Sequence, residues 1–155
     1  MSSLDSRRSG VAVAVVIIAL ILTAGVPAAA GEEALTDLQG GRLQPGEFGR
    51  GAVIAVFMAT WSPRCRDVVS RAEKIQRRWG DRARVVLVSF QEDAATVREF
   101  VGETEIPVYL DPEAAYSKQH SITFLPGLLV LTDGAVAFRG RLGSDPDGVL
   151  AQILG

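Results

Sequence analysis

Hydrophobic and polar residues alternate in blocks along residues 35–154, and the spacing within each block predicts a strand or a helix. Residues 52–59 are almost wholly apolar and rich in branched side chains, which is typical of a central strand covered on both faces. From Pro63 to Trp79 the apolar residues recur at helical spacing, and Gly80 predicts the end of this helix. The other predicted elements are a strand-turn-strand at 35–43, strands at 84–90, 107–110, 128–132 and 136–141, a turn at 133–134, and helices at 93–101, 112–120 and 146–154. Strands that alternate with helices and end in a hairpin and a helix predict an α/β layered fold.

An uninterrupted apolar run, residues 11–26, follows Arg7 and Arg8 near the amino terminus. Basic residues before such a run predict either an export signal or a membrane anchor. The small residues after the run suit cleavage by signal peptidase, whereas its length approaches the roughly 20 residues that span a bilayer. We therefore predict that residues 1–30 are a signal peptide or a membrane anchor and that residues 31–155 form one domain. The positive-inside bias predicts an extracytoplasmic domain, either anchored in the membrane or exported to the periplasm.

Composition and charge narrow the chemistry of this domain. The chain has 155 residues, 48% of them hydrophobic, which suits one domain of ordinary size. Its formal net charge is −2, so nucleic acid is not an implied partner. Cys65 is the single cysteine, so no internal disulfide can form and metal sites built on paired thiolates are excluded. We expect no metal and no cofactor.

The segment that follows the predicted central strand carries the clearest motif. It reads Phe57-Met58-Ala59-Thr60-Trp61-Ser62-Pro63-Arg64-Cys65-Arg66-Asp67. Ser62 followed by Pro63 predicts a helix start, because a serine hydroxyl can cap a helix and proline is tolerated at the first helical position. Cys65 is then predicted to lie in the first turn.

This segment resembles the active-site segment of the thioredoxin-like oxidoreductases, especially the membrane-anchored TlpA and ResA type. The family pattern is Trp-Cys-x-x-Cys. Here Ser62 stands in place of the first, nucleophilic cysteine, and Cys65 matches the second, resolving cysteine. The buried acid that thioredoxins carry in the central strand is also replaced, since the matching position is Val56. The resemblance implies a thioredoxin-like fold with a TlpA-type strand-helix insertion, in which the dithiol chemistry is lost.

A second landmark of the same resemblance is Leu125-Pro126, just before a predicted strand. Thioredoxin-like proteins place a cis-proline there, facing the active-site helix, and the loop offers backbone groups to an extended client peptide. The resemblance thus implies a groove for a client or partner protein. Its residues would be Trp61, Pro63, Arg64, Leu125 and Pro126.

Three functions remain open from the sequence. The first is an extracytoplasmic thioredoxin-fold domain that has lost dithiol reductase activity and still binds a client protein. The second is a monothiol redox protein that forms mixed disulfides through Cys65, whose thiolate Arg64, Arg66 and the helix dipole would favour. A buried Cys65 would instead be inert.

The third function is a one-cysteine peroxidase, because Ser62-Pro63-Arg64-Cys65 also resembles the Thr/Ser-x-x-Cys motif of peroxiredoxins. Two departures disfavour it: Met58 stands where peroxiredoxins carry a proline, and no arginine stands near the position of Pro126. A nucleophilic Ser62 is disfavoured as well, because a hydroxyl needs an adjacent base. The only histidine, His120, is predicted to be a solvated residue at a helix end.

Overall fold

A six-stranded sheet forms from the apolar runs that predict strands in the sequence. The computed structural model describes residues 34–44 and 46–155. The strands are β1 (Thr36–Asp37), β2 (Ala52–Met58), β3 (Arg84–Phe90), β4 (Val108–Asp111), β5 (Gly127–Thr132) and β6 (Ala135–Arg141). Their order across the sheet is β1-β4-β3-β2-β5-β6. β2, β3 and β4 are parallel to one another, whereas β1, β5 and β6 run antiparallel to their neighbours.

Four helices connect or close the strands. They are α1 (Val68–Trp79), α2 (Ala94–Val101), α3 (Ala115–Gln119) and α4 (Asp147–Leu154). β2, α1 and β3 form one parallel crossover unit, and β5 and β6 form the closing hairpin. Along the chain, β4 and α3 come after β3 and before β5, where the family resemblance implies an added strand and helix. The predicted α/β layered fold is confirmed.

The two faces of the sheet bury two separate cores, because alternate side chains of each strand point to opposite sides. Ile54, Val56 and Met58 of β2 belong to the core that α1, α2 and α4 cover. Alternate residues of the same strand belong to the other core, where Phe48 and Tyr116 pack. We call these the α1-side core and the α3-side core. A strand covered on both faces explains the continuous apolar run in the sequence.

Besides the predicted helix at 63–79, which begins only at Val68, two predicted elements differ clearly from the structure. The strand-turn-strand at 35–43 is reduced to the two-residue β1 and an isolated bridge between Thr36 and Arg42. The carboxylate of Asp37 accepts hydrogen bonds from the amides of Gln39 and Gly41, which makes a tight local turn, and β1 pairs instead with β4.

The helix predicted at 112–120 is also shorter, beginning at Ala115. Ala114 takes a left-handed φ of 55°, and the buried Asp111 carboxylate accepts hydrogen bonds from the amides of Tyr116 and Ser117. These contacts fix the start of α3 after the residues that the sequence pattern included.

The predicted signal peptide or anchor at residues 1–30 lies outside the described residues, and so does its boundary with the domain. Within residues 34–44 and 46–155, no helix has both the length and the apolar character that a bilayer crossing requires.

Candidate functional site

The motif forms a turn at the carboxyl end of β2 rather than the start of a regular α-helix. Pro63–Cys65 is a single 3-10 turn, and α1 begins only at Val68. Backbone hydrogen bonds close the turn, from Ser62 N to Ala59 O at 3.2 Å and from Cys65 N to Ser62 O at 2.9 Å. The prediction that Ser62 caps a helix was wrong in detail, because its hydroxyl makes no capping hydrogen bond. The backbone hydrogen bonds of the turn hold this segment instead of a side-chain cap.

Cys65 lies inside the protein. Its exposed fraction is 0%, and it belongs to the α1-side core together with Val56, Met58 and Val68. Arg64 and Arg66 on either side are exposed. A thiol in this position behaves as a small apolar group. It can form a mixed disulfide only where another sulfur can reach it.

The position of the family's buried acid carries no ionisable group. Val56 is fully buried in the same core as Cys65. Within residues 34–44 and 46–155, no cluster of three or more His, Cys, Asp or Glu side chains could hold a metal ion.

Leu125-Pro126 contains the predicted cis peptide bond. Pro126 is buried just before β5, and its carbonyl accepts a hydrogen bond from Leu142 N at 3.0 Å. The next residue, Gly127, pairs with Phe57 at the end of β2, so the cis-proline loop lies beside the turn that carries the motif. Within residues 34–44 and 46–155, neither the amide nor the carbonyl of Leu125 has a hydrogen-bond partner.

A cavity of about 400 Å³ joins the motif to this loop. Of the five residues predicted for a groove, Arg64 and Pro126 line this cavity, whereas Trp61, Pro63 and Leu125 do not. The remaining lining residues come from α1 and from the segment after β6: Asp67, Arg71, Lys74, Arg141, Leu142, Gly143 and Ser144. We call this cavity the groove.

Aromatic side chains extend the apolar surface of this region. Trp61 in the motif turn is 64% exposed, and Phe124 before the cis-proline loop is 44% exposed. The Arg141 guanidinium lies 4.6 Å from the centre of the Phe124 ring, within cation-π distance. Trp61 therefore packs outside the core, and its exposure suits contact with a partner.

The structure also reveals a contact that sequence reasoning missed. Glu92 follows β3 and accepts hydrogen bonds from Thr60 N, at 3.0 Å to each carboxylate oxygen, and from the Thr60 hydroxyl. It also accepts one from the buried Ser89 hydroxyl at 2.7 Å. Glu92 thus fixes the residue that immediately precedes Trp61. An acidic residue two positions after a buried strand was the available signal.

His120 differs from its prediction as a solvated residue. Its ring is partly buried with its centre 4.5 Å from that of Tyr116, and its carbonyl accepts a hydrogen bond from Arg139. Burial lowers the pKa of His120 below its ordinary value, and the charge of Arg139 lowers it further.

A larger cavity of about 600 Å³ lies at the opposite end of β2 and β3, near Ala52 and Arg84. Its lining mixes positive and negative side chains, including Arg50, Arg82, Asp81 and Glu105. It contains no residue of the motif or of the cis-proline loop. The candidate site is therefore the smaller groove.

Comparisons with solved structures find the same fold in several proteins, of which one is described as secreted and another as an exposed lipoprotein. A secreted disulfide oxidoreductase of Mycobacterium tuberculosis is 13% identical, with a TM-score of 0.63, covering 80% of this chain and 98% of its own. StoA from Bacillus subtilis is 15% identical, with a TM-score of 0.62 and coverage of 77% and 93%. The exposed lipoprotein thioredoxin of Streptococcus pneumoniae is 16% identical, with a TM-score of 0.64 and coverage of 77% and 95%.

No curated protein matches the sequence significantly. The family model described as Redoxin matches residues 23–146, which is most of the chain. The predicted thioredoxin-like fold is confirmed by the order of the elements and by these matches. The chain belongs to the Redoxin family and folds as a thioredoxin-like domain.

Proposed function

We propose that this chain is an extracytoplasmic, TlpA-like thioredoxin-fold domain that has lost dithiol reductase chemistry and binds a client or partner protein in its groove. One observation carries the chemical half of the proposal: Ser62 occupies the position of the nucleophilic cysteine, and the one cysteine left, Cys65, is fully buried.

Dithiol reduction requires two thiols in succession. The first thiolate attacks a client disulfide, releasing one client thiol and forming a mixed disulfide, and the second thiolate then displaces the other client sulfur. The two electrons gained by the client come from the two thiols, which become a disulfide. With one cysteine this sequence cannot be completed within the chain.

The groove supports the binding half of the proposal. The cis-proline loop and the motif turn adjoin, the backbone groups of Leu125 have no partner within the described residues, and Trp61 is exposed. An extended peptide could add to such backbone groups as a strand does. The apolar run at 11–26 and the secreted or exposed character of the similar structures support an anchored or exported location.

Both redox alternatives need a reactive sulfur at Cys65. Its complete burial disfavours the monothiol function and the one-cysteine peroxidase alike, because disulfide exchange and attack on peroxide each require access to the thiolate.

The chemical half is tested with insulin reduction by dithiothreitol. We expect the purified protein to add nothing to the rate of the reductant alone, and Cys65→Ser to behave identically. Turnover by the native protein that is lost in Cys65→Ser would establish the monothiol function. Rapid oxidation of Cys65 by peroxide, well above the rate of a free thiol, would establish the peroxidase.

The binding half is tested by photo-crosslinking in the native membrane. A photoreactive phenylalanine analogue is placed at Trp61, in the motif turn beside the groove, and, as a matched control, at Val136, an exposed apolar residue on β6 near the opposite end of β2. We expect discrete protein crosslinks from position 61 alone. Equal crosslinks from both positions would contradict a binding groove.

A further inference from the structure

We propose that the groove selects an acidic, extended segment of its partner protein. This inference rests on the proposed function and gives the chemistry of the partner.

The groove concentrates positive charge. Four cationic side chains, Arg64, Arg71, Lys74 and Arg141, line it with a single carboxylate, that of Asp67. The chain as a whole has a net charge of −2, so this concentration is local.

The one carboxylate is matched by Arg71, which lies 3.9 Å from it. The guanidinium of Arg71 also donates hydrogen bonds to the carbonyls of Leu142 and Gly143, so this arginine holds the wall of the groove. Within residues 34–44 and 46–155, the other three cations, Arg64, Lys74 and Arg141, have no ion-pair partner. They are therefore free to pair with an acidic ligand.

The backbone beside these charges suits an extended ligand. The unpaired amide and carbonyl of Leu125 can each form one hydrogen bond with a strand laid along the loop. Alternate side chains of such a strand point to the same side, so acidic residues at every second position would face the cations. The stacking of Arg141 on Phe124 holds one of those cations at the edge of the groove.

A concave site favours a peptide over a membrane surface. The cations line a cavity that adjoins a backbone edge, whereas attraction to a lipid surface needs no cavity and no unpaired peptide groups. Because the charges are exposed, the attraction should weaken as salt concentration rises.

The test uses the full-length protein in a non-ionic detergent and a peptide of alternating Glu and Val that carries an uncharged fluorophore. Binding is measured by fluorescence anisotropy. The comparison peptides replace Glu by Gln or by Lys. We expect the Glu peptide alone to bind well, and its affinity to fall with added salt.

Charge-reversal variants locate the contact. Lys74→Glu and Arg141→Glu should each weaken binding by about fivefold, the upper range for exposed ion pairs. Arg77→Glu is the matched control, because Arg77 is exposed on the same helix but does not line the groove. It changes the net charge equally and should leave binding unchanged. Lys74→Gln, with circular dichroism to confirm folding, should give a smaller loss in the same direction.

Several outcomes would overturn the inference. Equal binding of the Glu and Gln peptides would show that the groove does not select acidic residues. Equal weakening by Lys74→Glu and Arg77→Glu would indicate attraction by net charge alone. Capture by phosphatidylglycerol vesicles without binding of the Glu peptide would assign the cations to a membrane. If no peptide binds while position 61 still crosslinks to a protein, acidic selection fails and the proposed function stands; loss of both would refute both.

Discussion

The side chains of Ser62 and Cys65 differ in one atom, an oxygen in Ser62 and a sulfur in Cys65, and only sulfur can form a disulfide. The hydroxyl of Ser62 is nearly buried and lies at the start of the 3-10 turn, while the sulfur of Cys65 lies in the α1-side core. The two positions have the spacing of the Trp-Cys-x-x-Cys pattern that the motif resembles. Restoring sulfur at position 62 is therefore a direct test of the motif alignment.

We expect Ser62→Cys to form a disulfide with Cys65 under a mild oxidant, with the loss of two hydrogen atoms in the intact mass. Ser62 makes no capping hydrogen bond, so the substitution should cost less than about 1 kcal/mol of unfolding free energy. The double variant Ser62→Cys, Cys65→Ser is the control and should remain reduced. A folded Ser62→Cys variant whose two thiols both stay free to alkylation would show that the motif is misaligned.

His120 makes the stability depend on pH. Burial lowers its pKa in the folded state, so the unfolded chain, with a pKa near 6.5, binds a proton there more readily. The unfolding free energy should therefore fall as the pH is lowered from about 7 through 6.5 to the folded-state pKa. Denaturant titrations across this window measure the slope. The slope should flatten in His120→Gln, and an unchanged slope in that variant would contradict the assignment.

At the scale of elements, one carboxylate ties the end of β3 to the turn after β2. Glu92 accepts hydrogen bonds from the Thr60 amide and hydroxyl and from the buried Ser89 hydroxyl. The carboxyl ends of the two central strands, β2 and β3, are thus joined at the end of the sheet that carries the site. Trp61, the next residue after Thr60, is positioned by this contact.

Removing this acceptor should be costly. Glu92→Ala leaves the Ser89 hydroxyl and the Thr60 amide without their partner, and we expect a loss of about 1–3 kcal/mol in unfolding free energy. Glu99→Ala, an exposed change on α2, is the control and should stay within about 0.5 kcal/mol. Chemical denaturation measures both. Equal stability of the two variants would mean that Glu92 does not hold the turn.

The sequence predicts elements well where hydrophobic spacing decides them, as in β2, β3 and α2. It fails where a local hydrogen bond sets a boundary. The motif turn closes through backbone bonds, so α1 begins at Val68 and not at Pro63. α3 begins late because the Asp111 side chain caps it. Neither contact leaves a periodic signal.

At the scale of the whole molecule, the sheet separates the described core into two halves. It also brings segments that are distant in sequence to the same end of its strands. The motif turn and the cis-proline loop could be predicted as neighbours, because the family resemblance supplies their relation. The clustering of positive charges could not be predicted. Lys74 and Arg141 lie far apart in sequence, and only the fold places them in one groove. The burial of Cys65 was likewise open, because its flanking arginines favoured a reactive thiolate whereas its match to the second cysteine of the resembled pattern favoured a shielded thiol.

The two tryptophans of the chain lie in opposite environments. Trp79 is buried at the end of α1, and its indole nitrogen donates a hydrogen bond to Asp147 at 2.8 Å. Trp61 is 64% exposed in the motif turn. Their emission therefore separates into a shielded component and one that acrylamide can quench. The protein carries two intrinsic optical probes, one of which follows unfolding while the other responds to a partner that covers the motif turn, without any added label.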